Sequence, residues 1–459
     1  MLVFLTAGIV RGRGTVRLHT ISQVINVTAI MAAGSHSQEQ GPASYDALPE
    51  AELSRRRQLI VEATRHSWEG YVTYAWGADE LAPLTNGSIN DFGHMGATIV
   101  DSLDTLWLMG MKDEFNKAVD FVAQLDFDRN LSVSVFETTI RFVGGLLAAH
   151  ELSGEPVLLQ QCEKLVHRLM FAWDTPTGFP YGQLNLHTFQ GGSGFGFGSM
   201  LAEFGTEQLE MLALSALTGN ATFAHRVEHV IRVMNGTQSP LALKPLFLDP
   251  ASGSFTSTAI SLGAMGDSYY EYLLKAWLLK GKTDDMYRAM WEAAMDDMIA
   301  CLLFETSPNR LKYIANFDHG YVAHRFEHLA CFIPAMLALG AKEGAVNGSK
   351  AERYLSLAKD LTYTCWQMYD RHATGLAPEF VHWAWSMFEA FEKHCRVAAG
   401  YAGLRDVNLG GNDNTMQSFW IAETLKYAYL LHSPTDLLPL DQWVLNTEAH
   451  PIRVLNRQH

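Results

Sequence analysis

The chain has 459 residues, 48% of them hydrophobic, which suits one large domain or up to about three small ones with a sizeable core and excludes disorder over most of its length. Its 34 Lys and Arg stand against 49 Asp and Glu, and the net charge of -15 would repel a phosphate backbone. That argues against a nucleic-acid partner and leaves cations and neutral polar ligands such as sugars compatible.

The first 38 residues carry Arg11, Arg13 and Arg17 but no acid before Glu39. Residues 1–50 read as a leader or unstructured segment; a secretory signal, a transit peptide and an untranslated stretch all stay open. No apolar run reaches the roughly 20 residues of a spanning helix, so no clear membrane anchor is expected. From Ala51 onward, apolar residues recur at helical spacing in LIVEATRHSWEGYVTYAW, ATIVDSLDTLWLMG, TIRFVGGLLAAHEL and MLAEFGTEQLEMLALSAL. Glycine-bearing breaks at 152–156, 217–220, 279–285 and 373–379 separate the helices, and short links favour antiparallel pairs. Residues 51–459 contain no linker-like stretch, so one all-helical domain is expected there. Helical hairpins of this kind build either a solenoid or a closed ring; a ring would gather loops from every hairpin at one end.

Acids recur inside these apolar helices. Asp101 and Asp104 lie in GATIVDSLDTLWLMG, and Glu137 with Arg141 in FETTIRFVGGLL. Glu203 and Glu210 follow in LAEFGTEQLEML, Asp267 and Glu271 in GDSYYEYLLKAW, and Glu423 in SFWIAETLKY. Four residues apart, Glu137 and Arg141 share a helix face, where the guanidinium can hold the carboxylate. Each acid alone reads as a satisfied core or surface group. Together they predict a pocket where crowded carboxylates raise one another's pKa and keep one protonated near neutral pH. Near the end, VLNTEAHP (444–451) places Thr447 and Glu448 beside a turn-forming proline. That run reads either as a polar hairpin or as a hard-cation site, since calcium takes oxygen ligands and a threonine offers two.

The five cysteines, Cys162, Cys301, Cys331, Cys365 and Cys395, form no CxxC pair, which speaks against a zinc knuckle or a thioredoxin-type site. Six Asn-x-Ser/Thr acceptors, at Asn26, Asn86, Asn130, Asn220, Asn235 and Asn347, hint at a secretory route.

In this order, GATIVDSLDTL, FETTIRFVGGLL, LAEFGTEQLE, GDSYYEYLLKAW, the EHLACF run at His328, GLAPE, SFWIAETLKY and NTEAHP closely resemble the class I α-1,2-mannosidases, glycoside hydrolase family 47. The resemblance covers about residues 52 to 455 and leans to the fungal, Golgi-like branch in YAGLRDVN and QSFW. It implies an (α/α)7-type barrel with Ca2+ at one end, and inverting, calcium-dependent removal of terminal α-1,2-linked mannose from high-mannose N-glycans by a monomer in the secretory pathway (Golgi or endoplasmic-reticulum lumen, or secreted). By resemblance Glu137 is the general acid, acting through water, Asp267 a second essential carboxylate, and Thr447 the calcium ligand. Arg141, Glu203, His328, Phe419, Glu423 and Glu448 would line the sugar pocket or the ion's surroundings, and Cys331 and Cys365 would form the disulfide. Inversion needs one protonated carboxyl and one ionised carboxylate across the sugar.

One family segment has no counterpart. The LRPE motif, whose glutamate would activate the attacking water, is absent; GLAPEFVHW (375–383) passes straight into AWSMFEAFEKHCRV. About one hairpin is therefore expected to be missing near Trp383 and Ala384, and Glu379 is no obvious stand-in. This leaves an alternative in which the chain is a catalytically impaired, calcium-dependent mannose-glycan-binding homologue. Met265, where endoplasmic-reticulum-type members carry arginine, implies broader, Golgi-like trimming.

Overall fold

The computed structural model describes residues 48–193, 198–237, 239, 241–370, 380–406 and 410–455. Most of the expected leader, along with Asn26 and Glu379, lies outside them.

The helices are α1 (Glu50–Tyr74), α2 (Ala97–Leu108), α3 (Lys112–Ala123), α4 (Gly144–Ser153), α5 (Pro156–Leu169), α6 (Gln208–Thr218) and α7 (Ala221–Gly236). They continue with α8 (Asp267–Leu279), α9 (Asp285–Cys301), α10 (Ile333–Lys342), α11 (Gly348–Asp370), α12 (Phe380–His394) and α13 (Lys426–Leu431). Strands are two or three residues long. Two of the expected glycine stops cap helices: Gly154 and Gly219 end α4 and α6 in the left-handed region, at φ 79° and 75°, where a side chain would be strained, while the break at 373–379 lies outside the described residues.

Two kinds of burial sort the helices into layers. In α2 every residue from Ala97 to Leu106 is buried, and α4, α6 and α8 carry similar unbroken buried runs. By contrast α3, α5, α7 and α9 bury one stripe, such as Phe115, Ala118 and Val122 in α3. Packing follows the same division. Inner helices neighbour one another in the sequence α2, α4, α6, α8, α10, and α13 with its preceding turn closes back onto α2 and the outer α1. The result is a ring of paired helices, an α/α barrel as expected.

The described residues supply seven outer helices (α1, α3, α5, α7, α9, α11, α12) and six inner ones (α2, α4, α6, α8, α10, α13). Every outer helix from α1 to α9 is followed by an inner one. The chain then goes from α11 to α12 across residues 371–379 alone. Helix α12 keeps an outer position, packed on α13 and held to α1 by Arg56, whose guanidinium lies 4.7 Å from the Trp385 ring. Among the described residues the alternation thus lacks an inner helix between α11 and α12.

The Gly144-Gly145 pair lets the inner helices approach. A Cβ on Gly145 would sit 2.7 Å from the Val100 carbonyl oxygen of α2, and backbone cannot swing aside as a side chain can. Gly145→Ala is expected to cost about 1–3 kcal/mol by forcing α2 and α4 apart. An unchanged urea midpoint would show that the barrel tolerates wider spacing. Cys331 and Cys365 form a disulfide that ties the turn before α10 to α11. Among the described residues no helix is long and apolar enough to cross a membrane.

Candidate active site

The strands Trp443–Leu445 and Pro451–Arg453 pair as an antiparallel hairpin that packs against the inner helices α4, α6 and α8. Its loop, Asn446 to His450, meets a different inner element with each residue. Asn446 Nδ2 donates to Glu210 Oε1 on α6 at 2.8 Å and to the Ile140 carbonyl at 2.9 Å. Thr447 Oγ1 donates to Glu271 Oε2 on α8 at 3.1 Å. Glu448 pairs with Arg141 in the turn before α4, and Ala449 accepts from Lys426 Nζ of α13 at 2.9 Å. His450 lies 3.0 Å from Asp101 and 3.2 Å from Asp104, both on α2. Buried polar groups need partners, and this loop finds them on α2, the turn before α4, α6, α8 and α13. The Asn446 side chain also accepts from the amides of Glu448 and His450, which closes the turn.

Arg141 is the electrostatic centre. Its Nε donates to Glu137 Oε2 at 2.9 Å, the contact expected from their spacing, and Nη1 reaches Asp101 Oδ2 and Ser418 Oγ, both at 3.2 Å, as well as Glu448. Glu137 follows the strand Ser132–Ser134, and the Ser134 hydroxyl accepts its amide at 3.2 Å. Arg141 occupies a π turn, Thr138–Val143, and Glu423 a second one, Trp420–Leu425. Such wide turns collect at functional sites because the extra residue re-aims side chains.

One guanidinium cannot neutralise all the acids around it. Burial drives the Asp101 carboxyl up, but the hydrogen bond from His450 and the charge of Arg141 outweigh it and hold Asp101 down to about 2. Burial prevails elsewhere. It pushes Glu448 well above the carboxylate range against the pull of Arg141, and Glu423 up to about 8. Glu203, beside the Glu137 charge, and Glu210 rise to about 7 by burial. Asp267, at the start of α8, also reaches about 7, through burial and repulsion from Glu271 and Glu327. Burial is the first cause of every raised acid, and repulsion between carboxylates adds to it at Glu203, Asp267, Glu423 and Glu448.

Several of these groups keep some exposure. Within the loop Asn446–His450 only Thr447 is not buried. Glu137 and Glu271 keep 18% and 13% side-chain exposure while both hold ion pairs, and Asp267, Phe419 and His328 are half-buried. The Arg141 guanidinium lies 6.0 Å from the Phe419 ring. His328 opens the turn His328–Phe332, where burial pushes its imidazole down to about 4 and so keeps it neutral at pH 7. Contacts thus join Glu137, Arg141, Glu448, Thr447 and Glu271 into one network. Glu203, Glu423 and Asp267 adjoin it through the charges they feel, and His328 adjoins Asp267 through Glu327.

Several members carried no signal in the sequence. His450, Asn446, Lys426 and Ser418 were not singled out, although a lone lysine in SFWIAETLKY among apolar residues is the kind of residue that must find a buried acid; Lys426 Nζ finds Asp104 at 2.6 Å. Glu80 likewise accepts the Ser418 amide at 2.9 Å, and burial raises it to about 8.

The residues present suit a hard cation. Thr447 presents two oxygens at the cavity, and the buried Glu210 Oε2 and Glu423 Oε1 have no hydrogen-bond partner. Among the described residues no three acids or histidines converge as direct metal ligands. A hard cation here would draw on the threonine oxygens, with carboxylates around them supplying charge.

Acids gathered around one central loop of a paired-helix barrel can offer protonated and ionised carboxyls side by side, the pair that glycoside hydrolysis uses. The sequence profile of glycosyl hydrolase family 47 matches residues 63–383 and 379–454, and the chain belongs to that family. It is similar to the mannosyl-oligosaccharide 1,2-alpha-mannosidase MNS1 of Arabidopsis thaliana, with 41% identity over 447 aligned positions that cover 88% of this chain and 79% of that protein. Its identity to the mannosyl-oligosaccharide 1,2-alpha-mannosidase IA of Sus scrofa is also 41%, covering 89% of this chain and 69% of the pig protein. The fold matches the α-1,2-mannosidase of Trichoderma reesei with a TM-score of 0.80 at 26% identity, covering 87% of this chain and 99% of the other. Since 88% of 459 residues is about 404, about 43 of the 447 positions aligned with the Arabidopsis protein have no residue of this chain opposite. The profile match itself divides at 379–383, beside the expected break at Trp383 and Ala384.

Proposed function

We propose that the barrel, residues 51–459, hydrolyses terminal α-1,2-linked mannose of high-mannose N-glycans with inversion and with the help of calcium, as a monomer in the secretory pathway behind a leader within residues 1–50. The observation that carries this reading is the loop Asn446–His450, which draws Glu137, Arg141, Glu271 and Thr447 toward one cavity. In it Glu137 is the acid, acting through water on the leaving oxygen, held in place by Arg141. Asp267, raised to about 7, is the second carboxylate and can carry a proton near neutral pH. Phe419 stacks on a sugar face, while Glu203, His328, Glu423 and Glu448 shape the pocket. Thr447 would hold calcium, which when bound orients the sugar hydroxyls and supplies positive charge. Met265, held at φ 72° just before Asp267, puts an apolar side chain at the rim and favours broad trimming over removal of a single mannose.

A second reading follows from the divided profile match and the missing inner helix: a chain that binds high-mannose glycans without cleaving them, because its base is lost. Purified full-length protein, incubated with a nine-mannose glycan in calcium or in chelator, separates the two. Mannose release that needs calcium and vanishes in Glu137→Gln supports hydrolysis. Calcium-dependent binding with no release supports the second reading, and neither binding nor release removes both.

A further inference from the structure

A second feature of sugar chemistry lies outside the pocket. The strands Ser132–Ser134, Gln183–Asn185 and Gly191–Gly192 form a small antiparallel sheet in which Ser132 pairs with Asn185. Asn185 organises the turn that follows. Its Oδ1 accepts the amides of His187 and Thr188, both at 2.9 Å, and its carbonyl accepts the Phe189 amide at 2.9 Å. Its Nδ2 donates across the sheet to Asn130 Oδ1 at 3.1 Å.

This turn forces Phe189 into the left-handed region, at φ 59°, which a bulky side chain rarely adopts. There its ring stacks on Phe171 with centroids 4.1 Å apart and planes 22° from parallel. Both rings are exposed, at 37% and 42%. Arg168 borders them, 5.7 Å from the Phe189 ring, and also donates to Asp128 Oδ1 at 3.2 Å; His187 Nδ1 lies 2.7 Å from the same oxygen. Asp128 is two residues before Asn130, so the chain itself ties Asn130 to the polar border of the aromatic pair, while Asn185 ties it across the sheet.

Asn130-Leu131-Ser132 is an N-glycosylation acceptor, and both Asn130 and Ser132 are exposed. The other described acceptors differ in setting. Asn220 is half-buried and caps α7 by accepting the Thr222 amide at 3.1 Å, Asn235 lies in the last turn of that helix, Asn86 sits in a tight turn at φ 52°, and Asn347 precedes α11. Among them, Asn130 is the one hydrogen-bonded to a loop that presents two stacked, solvent-facing rings.

We propose that Asn130 carries an N-linked glycan whose first N-acetylglucosamine covers the Phe171–Phe189 pair. The amide chemistry allows it. Asn130 Nδ2 forms the bond to C1 of an oligosaccharide as the bond from C1 to its lipid-pyrophosphate carrier breaks, and an amide proton departs with the pyrophosphate; no redox change occurs. The Oδ1 that accepts from Asn185 is untouched, so the hydrogen bond that orients the acceptor survives in the product. Aromatic faces favour the C–H face of a pyranose, and the polar groups of Arg168, Asp128 and His187 suit its hydroxyl and acetamide edge. The glycan explains why a strained backbone holds two large apolar rings in solvent. It rests on the secretory route proposed above and not on mannose hydrolysis.

The test is secretion of the full chain, behind a cleavable signal, from a eukaryotic host, followed by N-glycosidase release in 18O-labelled water and peptide mapping. Asn130 should be recovered as labelled aspartate in most molecules; an unmodified Asn130 overturns the proposal, whatever the state of Asn86, Asn235 and Asn347. Packing is read separately. Enzymatic removal of the Asn130 glycan should lower Tm by about 1–3 °C, and this shift should disappear in the double variant Phe171→Ser, Phe189→Ser, whose exposed positions allow folding. A shift of equal size in wild type and variant removes the aromatic contact from the proposal.

Discussion

Inserting a segment of about 40 residues that carries the LRPE motif between Trp383 and Ala384 is expected to raise mannose release from a nine-mannose glycan by about two to four orders of magnitude. The expectation rests on two independent features. In the fold, seven outer helices face six inner ones, and the alternation fails only between α11 and α12. In the alignment, about 43 positions lack a partner, and the family match divides at 379–383. The LRPE glutamate belongs to that stretch of the family pattern, and losing a general base costs about a hundredfold to ten-thousandfold in rate. An inner helix is also apolar on most sides, so its absence leaves faces of α10 and α13 without the partner that a closed ring supplies. The inserted protein should therefore be more stable as well as faster. The two gains are separable: glutamine in place of the inserted motif's glutamate should erase the gain in rate and keep the gain in stability. A chain that gains stability without any rate would show that the catalytic assignment of Glu137 and Asp267 is wrong, while a chain that gains neither would show that the ring closes without an inner helix there.

The helices were legible because burial on several sides leaves long apolar runs, as in ATIVDSLDTLWL, and burial of one stripe leaves spaced residues, as in KDEFNKAVDFVA, but their closure into a barrel came from family resemblance, since the residues alone allowed a solenoid as well. The acids were legible for the same reason, since a carboxylate inside such a run stands out. The π turns were not, because a switch from i→i+4 to i→i+5 bonding leaves the apolar pattern of TTIRFV and WIAETL unchanged. Strands of two or three residues are too short to show an alternation. The hairpin's central position was hidden most deeply, because the partners of Asn446, Thr447, Glu448 and His450 on the earlier inner helices lie between 176 and 349 residues away along the chain. The pairing of Cys331 with Cys365 came from family resemblance alone; spacing among five cysteines does not select it.

Replacing Arg141 by methionine is expected to destabilise the protein by about 3–5 kcal/mol near pH 7, the range for removing one partner of a buried charge group. Glu448 and Asp101 are fully enclosed beside that guanidinium, so the variant must either hold uncompensated charge or take up protons. That choice gives the effect a pH dependence with a definite sign. In the wild type Asp101 is held down to about 2, so its contribution is present above the ordinary aspartate pKa of about 4 and is lost as pH falls toward about 2. Without Arg141, burial acts on Asp101 and Glu448 with less opposition and their folded-state pKa values rise. A carboxyl raised on folding favours the native state only while it is protonated, so the variant loses stability as pH climbs from about 4 through the new values. The difference between wild type and Arg141→Met should therefore be smallest near pH 4 and largest at pH 7 to 8, as read from urea unfolding at each pH. Arg141→Lys, which keeps the charge but not the fork that reaches Glu137, Asp101 and Glu448 together, should fall between them. A penalty independent of pH would mean that Arg141 acts through packing, for example against the Phe92 ring 4.9 Å away, and that the acids of the barrel centre do not depend on its charge.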